Sequence, residues 1–126
     1  MIIVIIGALI GVGIGFLLPW DIPVNFVQYF AIAILTSLDS IFGGIRAQLE
    51  HKFNIFRFIS SFFTNAALAA MLAYLGDKIG VDIYLGAVVA FSIRLFQNLS
   101  IIREELFDRF WSWRSVRENK RIENKD

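Results

Sequence analysis

The chain has no cysteine, which excludes disulfides and thiol chemistry. It has a single histidine, His51, and its acidic residues are scattered, so a structural zinc site has no ligand set to draw on. No metal and no cofactor is expected. Charge is scarce: Asp, Glu, Lys and Arg make up 18% of the residues, where a soluble domain carries about a quarter. The formal net charge is +1, so the chain is no polycation and nucleic acid is not implied as a partner. A hydrolase needs a nucleophile with a base, or a metal. Ser60, Ser61 and Ser92 lie in apolar stretches without a histidine, so no enzymatic activity is expected.

What the chain has is apolar surface. Hydrophobic residues make up 57% of its 126 positions, 13 of them are Phe, and the mean hydropathy is +0.65. The length is enough for one domain. Four apolar runs divide it, at about 2–18, 24–45, 58–75 and 83–102. A bilayer's hydrocarbon layer of about 30 Å takes about 17–25 such residues as a helix. The expected fold is therefore all-α: a polytopic membrane bundle of about four transmembrane helices. An amphipathic C-terminal helical extension is expected to follow, with 1–105 as the membrane domain and 106–126 as a charged tail.

The first run carries no charged side chain. A cleaved signal peptide would place Lys or Arg before it and a small-x-small site after it, and neither is present, so it reads as a retained anchor. Gly7, Gly11 and Gly15 recur every four residues and share one face. Such a stripe lets another helix backbone approach closely, from this chain or from a second copy. Pro19-Trp20-Asp21-Ile22-Pro23 is a turn, since each proline biases the residue before it away from helix. Trp20 suits an interfacial anchor.

The second run contains Asp39 among Thr36, Ser37 and Ser40, and ends at Gly43-Gly44, which suit close helix contact. The third contains Asn65 and an alanine-rich segment, Ala66 to Ala73. The fourth contains Arg94, Gln97 and Asn98. A carboxylate inside a span costs about 3 kcal/mol on insertion scales, so it tends to face the protein interior and find a partner. At 1.5 Å per residue Asp39 lies about 24 Å from the Pro23 end, and Arg94 lies about 18 Å from the Asp82 end. A long arginine side chain bridges one helical turn. Asp39, Asn65, Arg94, Gln97 and Asn98 are thus expected to form one intramembrane polar cluster, either as a structural closure or as a ligand or ion path. His51, in the polar loop from Gln48 to Arg57, reads as a solvated loop residue.

Lysine and arginine gather on one side. Arg46, Lys52 and Arg57 follow the second run, and Arg103, Arg109, Arg114, Arg117, Lys120, Arg121 and Lys125 follow the fourth. The turn after the first run has none, and the turn after the third has Lys78. The positive-inside rule then places both termini in the cytoplasm. Beyond Arg103 the helix is expected to continue, with aromatics beside arginines suited to the headgroup region. Glu118 to Asp126 lacks an apolar stripe and reads as disordered.

Several segments carry a resemblance. Ile32-Ala33-Ile34-Leu35 runs into Leu38-Asp39-Ser40-Ile41-Phe42-Gly43-Gly44-Ile45-Arg46-Ala47, with Leu49-Glu50 after it. Phe62-Phe63-Thr64-Asn65, Gly80-Val81-Asp82-Ile83-Tyr84-Leu85, Arg94-Leu95-Phe96-Gln97-Asn98 and Ile101-Ile102-Arg103 continue the pattern. Over about 1–105 the chain resembles the small basic protein family of Gram-positive bacteria, short integral membrane proteins of uncharacterised biochemistry. The resemblance implies the plasma membrane and a gene neighbourhood often shared with cell-division genes; it implies no catalytic or ligand residue. The aromatic, arginine-bearing tail departs most from that pattern. The expected role is a non-enzymatic scaffold or accessory subunit of envelope or cell-division processes. The bilayer and a second copy, or another membrane protein, are its expected partners. The alternative is a small transporter or channel, as a dimer, with the polar cluster as its path.

Overall fold

In a computed structural model, which describes residues 1–123, four α-helices and one 3₁₀ turn account for almost the whole chain. Helix α1 runs Ile2–Leu17, α2 Val27–Leu49, α3 Ile55–Ile79 and α4 Tyr84–Glu123, with the 3₁₀ turn Val24–Phe26 leading into α2. The stretch Val24–Leu49 and helices α3 and α4 are long and apolar enough to cross a membrane. Helix α1 is apolar throughout, but its 16 residues reach about 24 Å.

Local chemistry sets each boundary. Leu18, held before Pro19, is extended and ends α1. Helix α2 closes in a Schellman motif. The N–H of Lys52 donates to the carbonyl of Ala47, and that of His51 to Gln48, with His51 in the left-handed region at φ 56°. The histidine expected to be a plain loop residue is exposed, yet it occupies the position that usually goes to glycine. Asn54 caps α3, its side chain accepting from the Arg57 N–H at 3.1 Å, so α3 begins three residues before the expected Phe58. Gly80, at φ 70°, ends α3, and the N–H of Val81 returns to the carbonyl of Gly76.

Helix α2 is central. It packs along both α3 and α4, which meet each other less extensively. The buried apolar core is small: Ile32 from α2, Ala69 and Ala73 from α3, Ala87 and Phe91 from α4. Ala69 and Ala73 lie one turn apart, so α3 presents a narrow face on which close approach gains most dispersion energy. Elsewhere the helices turn Phe, Leu and Ile outward, Phe56, Phe63 and Phe96 among them. That is costly in water and favourable in lipid.

Two expectations are corrected. Gly7, Gly11 and Gly15 do not pack within the chain: a methyl group built on any of them meets nothing within 4 Å, and α1 has no buried residue. The extended Leu18–Pro23 connection lets α1 stand away from the bundle, which it approaches through the side chain of Met1 beside Gly44. The charged end is not disordered as far as Glu123. No glycine or proline follows Gly86, so nothing interrupts α4, which runs 40 residues, or about 60 Å. Residues 124–126 lie outside the described part.

Gly76 is where the backbone leaves no room, since a Cβ there would sit 2.6 Å from the carbonyl oxygen of Val81. Gly86, in the first turn of α4, faces open space. Gly76→Ala is expected to lower the thermal midpoint in detergent, at a cost of about 1–3 kcal/mol from overpacking. Gly86→Ala is expected to leave it unchanged or raise it, because alanine is the better helix former.

Candidate functional site

The polar residues of α2 and α4 meet in a ladder. Asp39 is 1% exposed, and its Oδ2 lies 3.1 Å from Nη2 of Arg94. The Nδ2 of Asn98 donates to Oδ1 of Asp39 at 3.5 Å, while Oδ1 of Asn98 accepts from Nη1 of Arg46 at 3.4 Å. Nε of Arg46 donates to Oε1 of Glu50 at 2.9 Å, and Lys52 stands 3.9 Å from the other oxygen of Glu50. Charges of alternating sign thus run from the middle of the bundle to the α2–α3 loop, with Asn98 as the neutral bridge.

Helix periodicity builds this ladder. Asn98 follows Arg94 by one turn on α4, and Arg46 follows Asp39 by two turns on α2, so each pair shares a face. Gly43 lies between them and leaves room at the backbone: a Cβ there would be 3.5 Å from the Asn98 amide. Gly44 gives similar room to the ring of Phe58 on α3, 3.1 Å from a built Cβ. The Arg94 guanidinium also lies over the Phe91 ring, 5.8 Å from its centre.

Of the expected cluster, Asp39, Arg94 and Asn98 come together. Gln97 borders the same region but is exposed, and Asn65 is half-buried on α3; neither joins a hydrogen bond among the described residues. Helical phase explains both: Gln97 is rotated about 100° from Asn98, and depth alone could not tell which side of α3 carries Asn65. The sequence reading missed Arg46 and Glu50 as members. The signal was available in the seven-residue spacing from Asp39 to Arg46 and the i,i+4 spacing from Arg46 to Glu50. Glu50 lies outside the spans, and its hydrogen bond from Arg46 holds its carboxyl below the usual range.

A second polar lock closes the other end of the bundle. The carboxylate of Asp77, near the end of α3, accepts from the Gln28 amide and from the Tyr29 hydroxyl, the latter at 2.6 Å. The apolar core lies between the two locks along α2, with Ile32 between Tyr29 and Asp39. Beyond the bundle, Arg109 of α4 donates to the Leu49 carbonyl at 2.7 Å and stands 3.4 Å from Nε2 of His51. This clamp ties the helical extension to the α2–α3 loop and caps the C-terminus of α2. Among the described residues no three His, Asp or Glu side chains are grouped so that they could hold a metal ion.

The family described as "Protein of unknown function (DUF1290)" matches residues 22–107, which is the three-helix bundle without α1 and without the far end of α4. The chain belongs to this family. The "Small basic protein" of Bacillus subtilis is 39% identical to this DUF1290 chain over 117 residues, covering 93% of the chain and 94% of the relative. "Uncharacterized protein Rv1824" of Mycobacterium tuberculosis is 36% identical over 100 residues, covering 78% and 83%. No solved structure matches the chain. The family resemblance drawn from the motifs therefore holds, and the matched region contains the whole ladder from Asp39 to Asn98.

The ladder neutralises charge where water is scarce, and its two ends differ. The Arg94 side chain is 51% exposed, whereas Asp39 is enclosed. Arg94→Gln alone is expected to be the most damaging single change, because it strands a buried carboxylate, at a cost of about 3 kcal/mol or more. Adding Asp39→Asn to it is expected to restore part of the lost thermal stability. A double-mutant cycle measures this coupling; additive losses would show that the two groups do not depend on each other.

Proposed function

We propose that this DUF1290 protein is a non-enzymatic, multi-pass plasma-membrane protein that acts as a scaffold or accessory subunit in envelope or cell-division processes. The observation that carries the reading is α1. It is wholly apolar, buries no residue in this chain, and presents Gly7, Gly11 and Gly15 to empty space. A glycine stripe of this kind is the usual device by which one membrane helix receives another. A second copy, or a helix of another membrane protein, completes the face. The cell-division link rests on the family resemblance alone.

All four helices cross the bilayer in this reading, with both termini in the cytoplasm. Three observations support it. The α2–α3 loop and the α4 extension lie together, joined by Arg109 to Leu49, and both are rich in Lys and Arg. Met1 lies near Gly44, toward that same end of α2, so α1 returns antiparallel to α2. The opposite turns carry Lys78 as their one basic residue.

A small transporter working as a dimer is the second reading, and one observation favours it: a polar cleft reaches Arg94 and Asn98 from the loop side. Against it, Ile32, Ala69, Ala73, Ala87 and Phe91 form an apolar block beyond Asp39. Flux through proteoliposomes that is lost with Arg94→Gln in a still-folded protein would favour transport.

The chain lacks cysteine, so single cysteines report cleanly. Ile14→Cys, beside the glycine stripe, is expected to form cross-links in native membranes, and Leu9→Cys, on the far side of α1, is not. Equal cross-linking at both positions, or none at either, would remove the support for a partner on this face. Asp82→Cys is expected to react with an impermeant maleimide on intact cells and Ser115→Cys only after lysis; the reverse pattern would invert the topology.

A further inference from the structure

At the loop end of the bundle a cleft of about 410 Å³ opens between α2, α3 and α4. Its walls are basic. Arg46, Lys52, Arg57 and Arg94 line it against one carboxylate, Glu50. Asp39 answers Arg94 at 3.1 Å and Glu50 answers Arg46 at 2.9 Å. Lys52 is left 3.9 Å from a carboxylate already engaged, at the limit of an ion pair. Among the described residues, no ion pair or hydrogen bond takes the Arg57 side chain. Two cations therefore face the cleft with little or no neutralisation.

Ser40 supplies an independent observation. It lines the cleft, is 9% exposed, and its hydroxyl is buried without a hydrogen-bond partner. A hydroxyl on a membrane helix ordinarily returns to a carbonyl three or four residues back. Thr36 does so to Ile32 at 2.9 Å, and Ser37 to Ala33 at 2.7 Å. Ser40 does not, so its hydroxyl keeps an unspent donor beside the cleft.

Surplus cations, a spare hydroxyl donor and the amides of Asn54 and Gln97 call for an anion with several acceptor oxygens. We propose that this cleft binds a phosphate group, and that its source is the headgroup of an acidic phospholipid. Position selects the lipid. The cleft lies where α2 ends and α3 begins, the level at which headgroups start, and Phe53 and Phe58 form part of its wall. Basic pockets between membrane helices on the cytoplasmic side hold headgroups of this kind. A free phosphate offers the same oxygens without acyl chains for the neighbouring apolar faces. The site rests on the reading that the helices cross a bilayer with this loop on the cytoplasmic side, and not on the scaffold role, so the cross-linking result leaves it untouched.

The test uses the full chain in nanodiscs of phosphatidylcholine, with and without phosphatidylglycerol, followed by thermal midpoint and by titration with short-chain phosphatidylglycerol. Phosphatidylglycerol is expected to raise the midpoint. Lys52→Gln with Arg57→Gln is expected to abolish most of that rise and to weaken binding about tenfold or more, the scale of one lost charge-assisted hydrogen bond. Ser40→Ala is expected to weaken binding while leaving the lipid-free midpoint unchanged or higher, which separates a ligand role from a packing role. Lys120→Gln with Arg121→Gln removes equal charge far from the cleft and is expected to keep the full response. Inorganic phosphate in phosphatidylcholine discs forms the second arm. A rise with it alone, dependent on Lys52 and Arg57, supports the phosphate site and assigns it to a soluble anion. No response to either anion, or an equal loss in the tail variant, overturns the proposal.

Discussion

A carboxylate on an apolar helix has to be neutralised or hydrated, and Asp39 sits where hydration is not available. Its encounter with Arg94 determines how α2 and α4 are rotated and how far each slides along the other. Once that pair is formed, Asn98 falls against Gly43 and reaches Arg46 with its second polar atom. Apolar side chains sliding on each other in lipid change their energy little with register. A buried charge does not tolerate such slippage.

The apolar core is made of small residues, and the polar contacts complement it. Ala69, Ala73 and Ala87 let the helices come close, but alanines discriminate poorly among neighbouring registers. The Asp39 ladder and the Asp77 lock bracket this core along α2 and supply the discrimination. Arg109 adds a third tie outside the spans and fixes the direction in which α4 leaves the bundle. Past that clamp, Phe110, Trp111 and Trp113 are exposed beside Arg114 and Arg117. This far end also lies outside the region matched by the family.

The molecule divides into a closed half and an open half. At the Asp77 end the helices are tied by neutral-to-acid hydrogen bonds. At the loop end cations outnumber acids, a cleft admits polar groups, and Ser40 keeps a hydroxyl in reserve. Helix α1 buries no residue against either half. These unsatisfied surfaces are what this DUF1290 chain offers to its surroundings.

Much was legible in the residues alone. Apolar run lengths gave the four helices, the prolines gave the first break, and the cost of isolated charge paired Asp39 with Arg94. Boundaries moved where backbone geometry outweighed composition: the Asn54 cap started α3 early, and His51 closed α2 in a conformation that composition does not reveal. Counting residues at a fixed rise gives depth, and depth does not separate Asn65 and Gln97 from the ladder. Which side of a helix faces its neighbour follows from packing, and that excluded both while admitting Arg46 and Glu50. The residues alone dictate that the chain makes apolar helices and that its charges must meet, since an isolated charge on an apolar face is costly. Which polar groups touch, that α1 buries no residue within the chain, and that Lys52 and Arg57 keep their charge largely unanswered around one cleft were settled by packing, because rotation and separation of helices depend on contacts distant in the chain.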